Sequence, residues 1–472
     1  MRTRTLLDAT IALTLTVFAT GCSAADGASV SSPAGAPDSA DEAEPAAAAD
    51  TETVTHGPQR SWAESNAPIG IYRTLTGGAL TWSRTAGSAG FDAAYAVASD
   101  ASSNVIVGGA LGGAADIGCG EYTPTALGAY VATYSSEGAC AHATYFDGDD
   151  VAPSGVAVDG DGAVYVTGLF AGTATFGGVP YTSAGGYDGF VVKLTPGGDV
   201  VWVKTFGAAE DEYPFTLSVR GGRVAVGGAF YGTPTLAGSV ASNAGDADAF
   251  VLELAGADGA SVGSQVFGAG GWDAVNGLAF AADGRLIVTG TFAHTVTFGG
   301  TPLTSAGAQD GFVSIFDATL APTNTLRFGG EHTDSARSAV VGGDGRIHVI
   351  GYVGGEAMSY DAFLTTYSSD LTALGSTTME GSIAEAIALH PSGGVAVAGR
   401  KGTDAFVATY DATGAQVWRS SITGDGAEAL GVTVSSAGNV VATGMFSGTV
   451  GLGGSGTVAA GAADTFLVRF TE

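Results

Sequence analysis

The sequence predicts an all-β fold built from repeated four-stranded units, and three observations carry that expectation. Gly supplies 77 of 472 residues with no three-residue period, which excludes collagen and points to many short strands joined by tight turns. An apolar alternating run ending in Gly returns seven times: NVIVGG at Gly109, AVYVTG at Gly168, RVAVGG at Gly228, RLIVTG at Gly290, RIHVIG at Gly351, GVAVAG at Gly399 and NVVATG at Gly444. A run carrying an aromatic anchor also returns seven times, at Tyr130, Phe190, Phe250, Phe312, Phe363, Phe406 and Phe466. The glycines lie 59, 60, 62, 61, 48 and 45 residues apart, so the repeat is a supersecondary unit. Seven units of four antiparallel strands predict a seven-bladed β-propeller, in which radial closure protects the sheet edges.

The elements of the second unit justify the count of four. GVAVD (Gly155–Asp159), AVYVTGLF (Ala163–Phe170), FVVKL (Phe190–Leu194) and the run ending at Phe206 alternate or run apolar, with Gly, Asp and Pro between them. No stretch between them has helical periodicity of useful length. The seventh unit ends at DTFLVRFTE (Asp464–Glu472), after its third strand. ALTWSRTAG (Ala79–Gly87) matches the fourth-strand pattern VVWVKTFG (Val200–Gly207) and precedes the first unit, so the N-terminal strand is expected to complete the last blade. The propeller then spans 79–472.

Ahead of it the composition changes. MRTRT and the apolar stretch Leu6–Thr20 form a secretory signal, too short for a spanning helix. FATGC (Phe18–Cys22) resembles the lipobox of bacterial lipoproteins, which implies that residues 1–22 are a lipoprotein signal and that Cys22 is lipidated. The resemblance, with Ser23 behind the cysteine, implies a cell-envelope location, in the outer membrane or at the cell surface, with membrane contact only through the lipid. Residues 23–66 are Ala, Ser, Pro, Asp and Glu with almost no large apolar residue, the composition of a disordered acidic linker. Two cysteines then remain, Cys119 and Cys140, and in an exported chain a disulfide between them is the expectation.

The whole pattern resembles the bacterial β-propeller repeat family labelled SBBP, matched most closely over Gly168–Gly207. The resemblance implies a repetitive surface or secreted protein. The fifth and sixth units lose the GTxTFGG segment and have shorter outward loops.

Charge excludes one class of partner. With 17 basic and 46 acidic residues the net charge is −29, and only three lysines occur, so nucleic acid is not expected. Two sets of acids fall at repeating positions. Asp92, Asp211, Asp273 and Asp334 lie thirteen residues before the second strand, with Asp150 one position off; Asp188, Asp248, Asp310, Asp361, Asp404 and Asp464 precede the third-strand aromatic. The first set is a candidate ring for Ca²⁺ or a cationic ligand near the channel, since hard cations take several oxygens. The alternative is that each Asp caps a turn through backbone N–H groups, which is the expectation for both sets. DGDD (Asp147–Asp150), DGDG (Asp159–Gly162) and EDE (Glu210–Glu212) lack full EF-hand spacing.

Enzyme signals are sparse. The histidines are scattered, no HExxH or GxSxG occurs, and GAGG at Gly268–Gly271 opens no helix. YDATGAQVW (Tyr410–Trp418) and LTPGGDVVW (Leu194–Trp202) look like the tryptophan-docking repeat of quinoprotein dehydrogenases, with Trp82, Trp202 and Trp418 in the docking place and His142 replacing it in the first unit. Packing between blades is the expected role of these indoles. The reading is a monomeric binding or adhesion module for protein or glycan, with no cofactor. An envelope scaffold that docks partner proteins and a channel-face hydrolase or lyase are the alternatives.

Overall fold

The computed structural model describes residues 78–472 except 357–358, 453–454, 460 and 472. The signal, Cys22 and the acidic linker lie outside the described residues. Among the described residues the regular elements are strands, with no α-helix. A representative sheet runs Glu212–Arg220, Arg223–Phe230, Asp248–Ala255 and Ser261–Phe267, each antiparallel to the one before it in chain order. The strands Ala274–Phe280, Leu286–Phe292, Asp310–Phe316 and Pro322–Phe328 repeat it, as do Ser335–Val341, Ile347–Gly354, Tyr360–Tyr367 and Ala373–Met379. A six-stranded sheet carries the same first four strands from Ser382–Leu389 to Gln416–Gly424 and adds a terminal hairpin.

An eight-stranded sheet joins two such sets. Its link is one long strand, Cys140–Val158, whose first part pairs with Gly128–Tyr134 and whose second part pairs with Val164–Phe176. The sequence reads the second unit as starting at Gly155; the strand instead continues unbroken from Cys140, with register shifts at Gly148/Asp150 and Pro153/Gly155 that let it turn from one set into the next. Ala79–Ala86 pairs antiparallel with Asp464–Thr471, next to Val440–Phe446 and Glu428–Val434. First strands also pack side by side. Asp92–Ser99 touches both Cys140–Val158 and Glu428–Val434, and the others touch their neighbours in chain order.

Second and third strands are buried on both faces, which explains their continuous apolar runs; Leu286–Phe292 and Asp310–Phe316 are buried at every position. Fourth strands such as Pro322–Phe328 are partly exposed and correspondingly polar. The cores lie between sheets. One combines Ala225, Ala249 and Val251 with Leu286, Val288, Phe312 and Phe316 from the next sheet.

The two repeated signals of the sequence turn out to be one cross-strand pair. Gly109 faces Tyr130, Gly168 faces Phe190, Gly228 faces Phe250, Gly290 faces Phe312, Gly351 faces Phe363, Gly399 faces Phe406 and Gly444 faces Phe466. A Cβ at Gly290 would meet the Ala274 carbonyl of the first strand and the Phe312 ring together, and the backbone carbonyl cannot give way. Gly290→Ala is therefore expected to destabilise the fold by about 1–3 kcal/mol through overpacking. Chemical denaturation checks this, and an unchanged midpoint would refute it.

Cys119 and Cys140 form a disulfide that ties the loop after Ala115–Asp116 to the fourth strand. Five sets carry an extra two-stranded hairpin between second and third strands, for example Thr295–Phe298 with Thr301–Thr304. In the fifth and sixth sets Ile347–Gly354 and Val395–Lys401 pass to their third strands with no such hairpin among the described residues.

Candidate ligand-binding channel

Every first strand contains a β-bulge at the same place. The register slips between Ala94/Ala96, Pro153/Gly155, Pro214/Thr216, Val275/Gly277, Ala336/Ser338, Ala384/Ala386 and Ala429/Gly431. The extra residues are Tyr95, Ser154, Phe215, Asn276, Arg337, Glu385 and Leu430. A bulged residue leaves the ladder and its side chain is re-aimed. Pro153 and Pro214 fit here because first strands are sheet edges, where a missing N–H is tolerated. All seven extra residues line one cavity of about 170 Å³, together with their immediate neighbours along the strands.

The side chains divide the wall. Leu430, Tyr95 and Phe215 make an arc interrupted by Ser154, whose hydroxyl donates to the Pro214 carbonyl at 2.5 Å. Asn276, Arg337 and Glu385 follow on consecutive sheets. Arg337 donates from Nε (2.9 Å) and Nη2 (2.5 Å) to the same Glu385 oxygen, Oε2. Asn276 donates through Nδ2 to Ser335 Oγ and the Ala336 carbonyl. Behind them Arg400 Nε donates to Glu428 Oε1 at 2.9 Å. Burial pushes Glu428 up to about 7, with the Glu385 charge adding to it and Arg400 and Arg337 opposing. Tyr352 is pushed up to about 12, mainly by burial. Burial works against the Arg337 charge, but Glu385, Tyr352 and Glu428 outweigh it and hold its pKa above the usual value.

The acids singled out in the sequence lie elsewhere. Asp92 accepts N–H bonds from Ser88 and Gly112, Asp273 from Ala269 and Ala293, and Asp334 from Gly330 and Gly354. Each comes three residues before the bulge residue, and none lines the cavity. In the third set that place belongs to Glu212, which accepts from the Ala208 N–H at 3.1 Å. Asp211 accepts instead from the Tyr187 N–H and the Tyr213 hydroxyl. The cause is a turn one residue shorter between Val219 and Val224 than between Phe280 and Leu286, so counting back from the second strand slips by one. Val151 holds the equivalent place in the second set, and Asp150 accepts from the Tyr187 hydroxyl at 2.6 Å.

The second series behaves alike. Asp188, Asp248 and Asp310 accept from the N–H four residues earlier, and Asp310 also pairs with Arg327; Asp361 and Asp404 accept from Gly381 and Gly424. The two series meet between sheets, where Asp464 acts on Asp92, Asp188 on Glu212, Asp248 on Asp273 and Asp310 on Asp334, each raising its neighbour. Burial is the larger cause, pushing Glu212 up to about 8, Asp273 to about 7 and Asp188 to about 6. Among the described residues no three His, Cys, Asp or Glu side chains gather as a metal site. Asp147 accepts from Thr125, Asp149 from the Thr173 N–H, and Asp159 from the N–H groups of Asp161 and Ala163.

The indoles dock sheet against sheet. Trp82 and Trp202 donate to the Ser136 and Gly256 carbonyls of the next set, and the buried Trp418 packs on Phe470. The channel residues themselves carried no sequence signal, since seven different amino acids occupy the seven equivalent places. The usable clue was geometric, one unpaired residue in each first strand, flanked on at least one side by Ala, Gly, Ser or Pro.

No protein-family model matches the chain, and no curated protein matches it. Solved structures that it is similar to include β-propellers. The WD40 β-propeller domain of Doa1 is 13% identical with a TM-score of 0.46, the match covering 84% of this chain and 97% of that one. The Dos1 propeller is 10% identical with a TM-score of 0.44, over 84% and 97%. A protein of unknown function from Dyadobacter fermentans is 11% identical with a TM-score of 0.43, over 84% and 99%.

Proposed function

We propose that the chain is a seven-bladed β-propeller closed by its N-terminal strand, acting as a binding module for protein or glycan. The observation that carries this reading is the cavity into which each of the seven first strands sends one bulged residue. A repeated backbone with unrepeated side chains at one place is the arrangement of a recognition site on a rigid scaffold. Glu385 is already engaged by two Arg337 hydrogen bonds, an arrangement that favours the binding reading over a hydrolase.

The leader and Cys22 support placing this module in the cell envelope, lipid-anchored at the outer membrane or cell surface, with residues 23–66 as a tether. A chain of some forty residues reaches about 5–6 Å times the square root of their number. Immobilised glycans and envelope proteins should bind the full chain saturably. The substitution Leu430→Trp, which fills the cavity, should abolish that binding without moving the melting temperature. Binding unaffected by a filled cavity would sink the channel as the site. Cys22→Ala should release the protein into the medium, and unchanged membrane retention would sink the anchor.

A further inference from the structure

The cavity has two unlike walls. In chain order, Leu430, Tyr95, Ser154 and Phe215 come from the first strands of the seventh, first, second and third four-stranded sets; Asn276, Arg337 and Glu385 come from those of the fourth, fifth and sixth. An arc that is mainly apolar therefore faces an arc of three planar polar groups. The polar arc is only partly used. Arg337 spends Nε and Nη2 on one carboxylate oxygen of Glu385, leaving Nη1 as a donor and Glu385 Oε1 as an acceptor. Asn276 spends Nδ2 on Ser335 and Ala336 of the next sheet's first strand, leaving Oδ1 as an acceptor.

We infer that this channel binds a single neutral sugar ring, with its C–H face on Phe215, Tyr95 and Leu430 and its hydroxyls on Asn276, Arg337 and Glu385. The inference deepens the binding-module reading and rests on it. Three features select this ligand class. The formal charges of Arg337 and Glu385 cancel, so the lining favours a neutral guest; a free anion would further be opposed by the chain's net charge of −29. Adjacent donor and acceptor groups on rigid planar side chains suit vicinal hydroxyls, each of which both donates and accepts. The size also fits. A water's share of liquid volume is about 30 Å³, so 170 Å³ corresponds to about six waters, the room of one small ring rather than two.

The full chain would be titrated with methyl pyranosides of glucose, galactose, mannose and N-acetylglucosamine, with acetate and methylammonium as charged controls, and binding read by ligand-observed NMR. At least one pyranoside is expected to bind with a Kd of about 1 mM, and more tightly than either ion. Phe215→Ala and Glu385→Gln should each weaken it by at least about tenfold. Tryptophan fluorescence melting of each variant separates a lost contact from a lost fold. No pyranoside bound by the wild-type chain, a charged control bound more tightly, or equal affinity in both folded variants would overturn the inference. Envelope-protein capture that survives while every pyranoside fails would overturn the sugar and leave the binding module standing. Loss of both would overturn both.

Discussion

A chain shortened to begin after Gly87 is expected to lose its cooperative melt at the wild-type temperature and to self-associate. The strand Ala79–Ala86 pairs with Asp464–Thr471 along its length, from Ala79 opposite Thr471 to Ala86 opposite Thr465. Side chains fasten it further: Thr465 Oγ1 donates to the Ala86 carbonyl, Arg84 Nε to the Gly138 carbonyl, and Trp82 Nε1 to the Ser136 carbonyl of the next set. Removing it uncovers the N–H and C=O row of Asp464–Thr471, a strand otherwise buried along most of its length, and an open edge of that kind recruits other chains. The loss should be several kcal/mol, a large part of a typical domain's stability. Size-exclusion chromatography and calorimetry read it. A shortened chain that stays monomeric with an unchanged melting temperature would refute the closing role of this strand.

The second large effect concerns pH. Glu212, Asp273, Asp188 and Glu428 have folded-state pKa values pushed up to about 8, 7, 6 and 7, in each case mainly by burial. A carboxyl group whose folded pKa lies above its unfolded value binds its proton more tightly in the fold. Its contribution is complete below the unfolded value, near pH 4, and is withdrawn as pH rises through about 6 to 8. Each proton released changes stability by about 1.4 kcal/mol per pH unit. Asp317, Asp370 and Asp411 work the other way, held low chiefly by hydroxyl donors from Thr319, Ser368 and Thr413, and protect the fold only above the usual carboxylate range. Stability should therefore peak near pH ~4 and fall by about pH 8, opposite to the rise that paired surface carboxylates give alone. Glu212→Gln should flatten the decline. A melting temperature that is level or rising between those two pH values would refute the assignment.

The sequence made the strands legible because period and punctuation are properties of the backbone's own needs. Gly290 and Phe312 recur in seven copies since one position must leave room for a carbonyl and a ring while the other fills that room. The capping acids were legible as a series for the same reason, and the slip from Glu212 to Asp211 came from a turn one residue shorter, which counting alone cannot register. The channel residues were not legible. Repetition was the instrument of the reading, and Tyr95, Ser154, Phe215, Asn276, Arg337, Glu385 and Leu430 are the places where the repeat carries no common residue. The long strand Cys140–Val158 escaped as well, since DGDD reads as an acidic cluster between units while its register shifts let extended backbone pass through it.

The bulge has a consequence for how such a protein changes over time. A residue outside the ladder is not held to one residue type by backbone pairing, so its side chain answers only to its cross-sheet neighbours, as Arg337 does to Glu385. The seven positions then read as letters set in a fixed frame, with Arg337 and Glu385 written as a pair. Substitution at these letters changes the lining of the cavity, while the Gly and aromatic pairs of the second and third strands keep the frame intact.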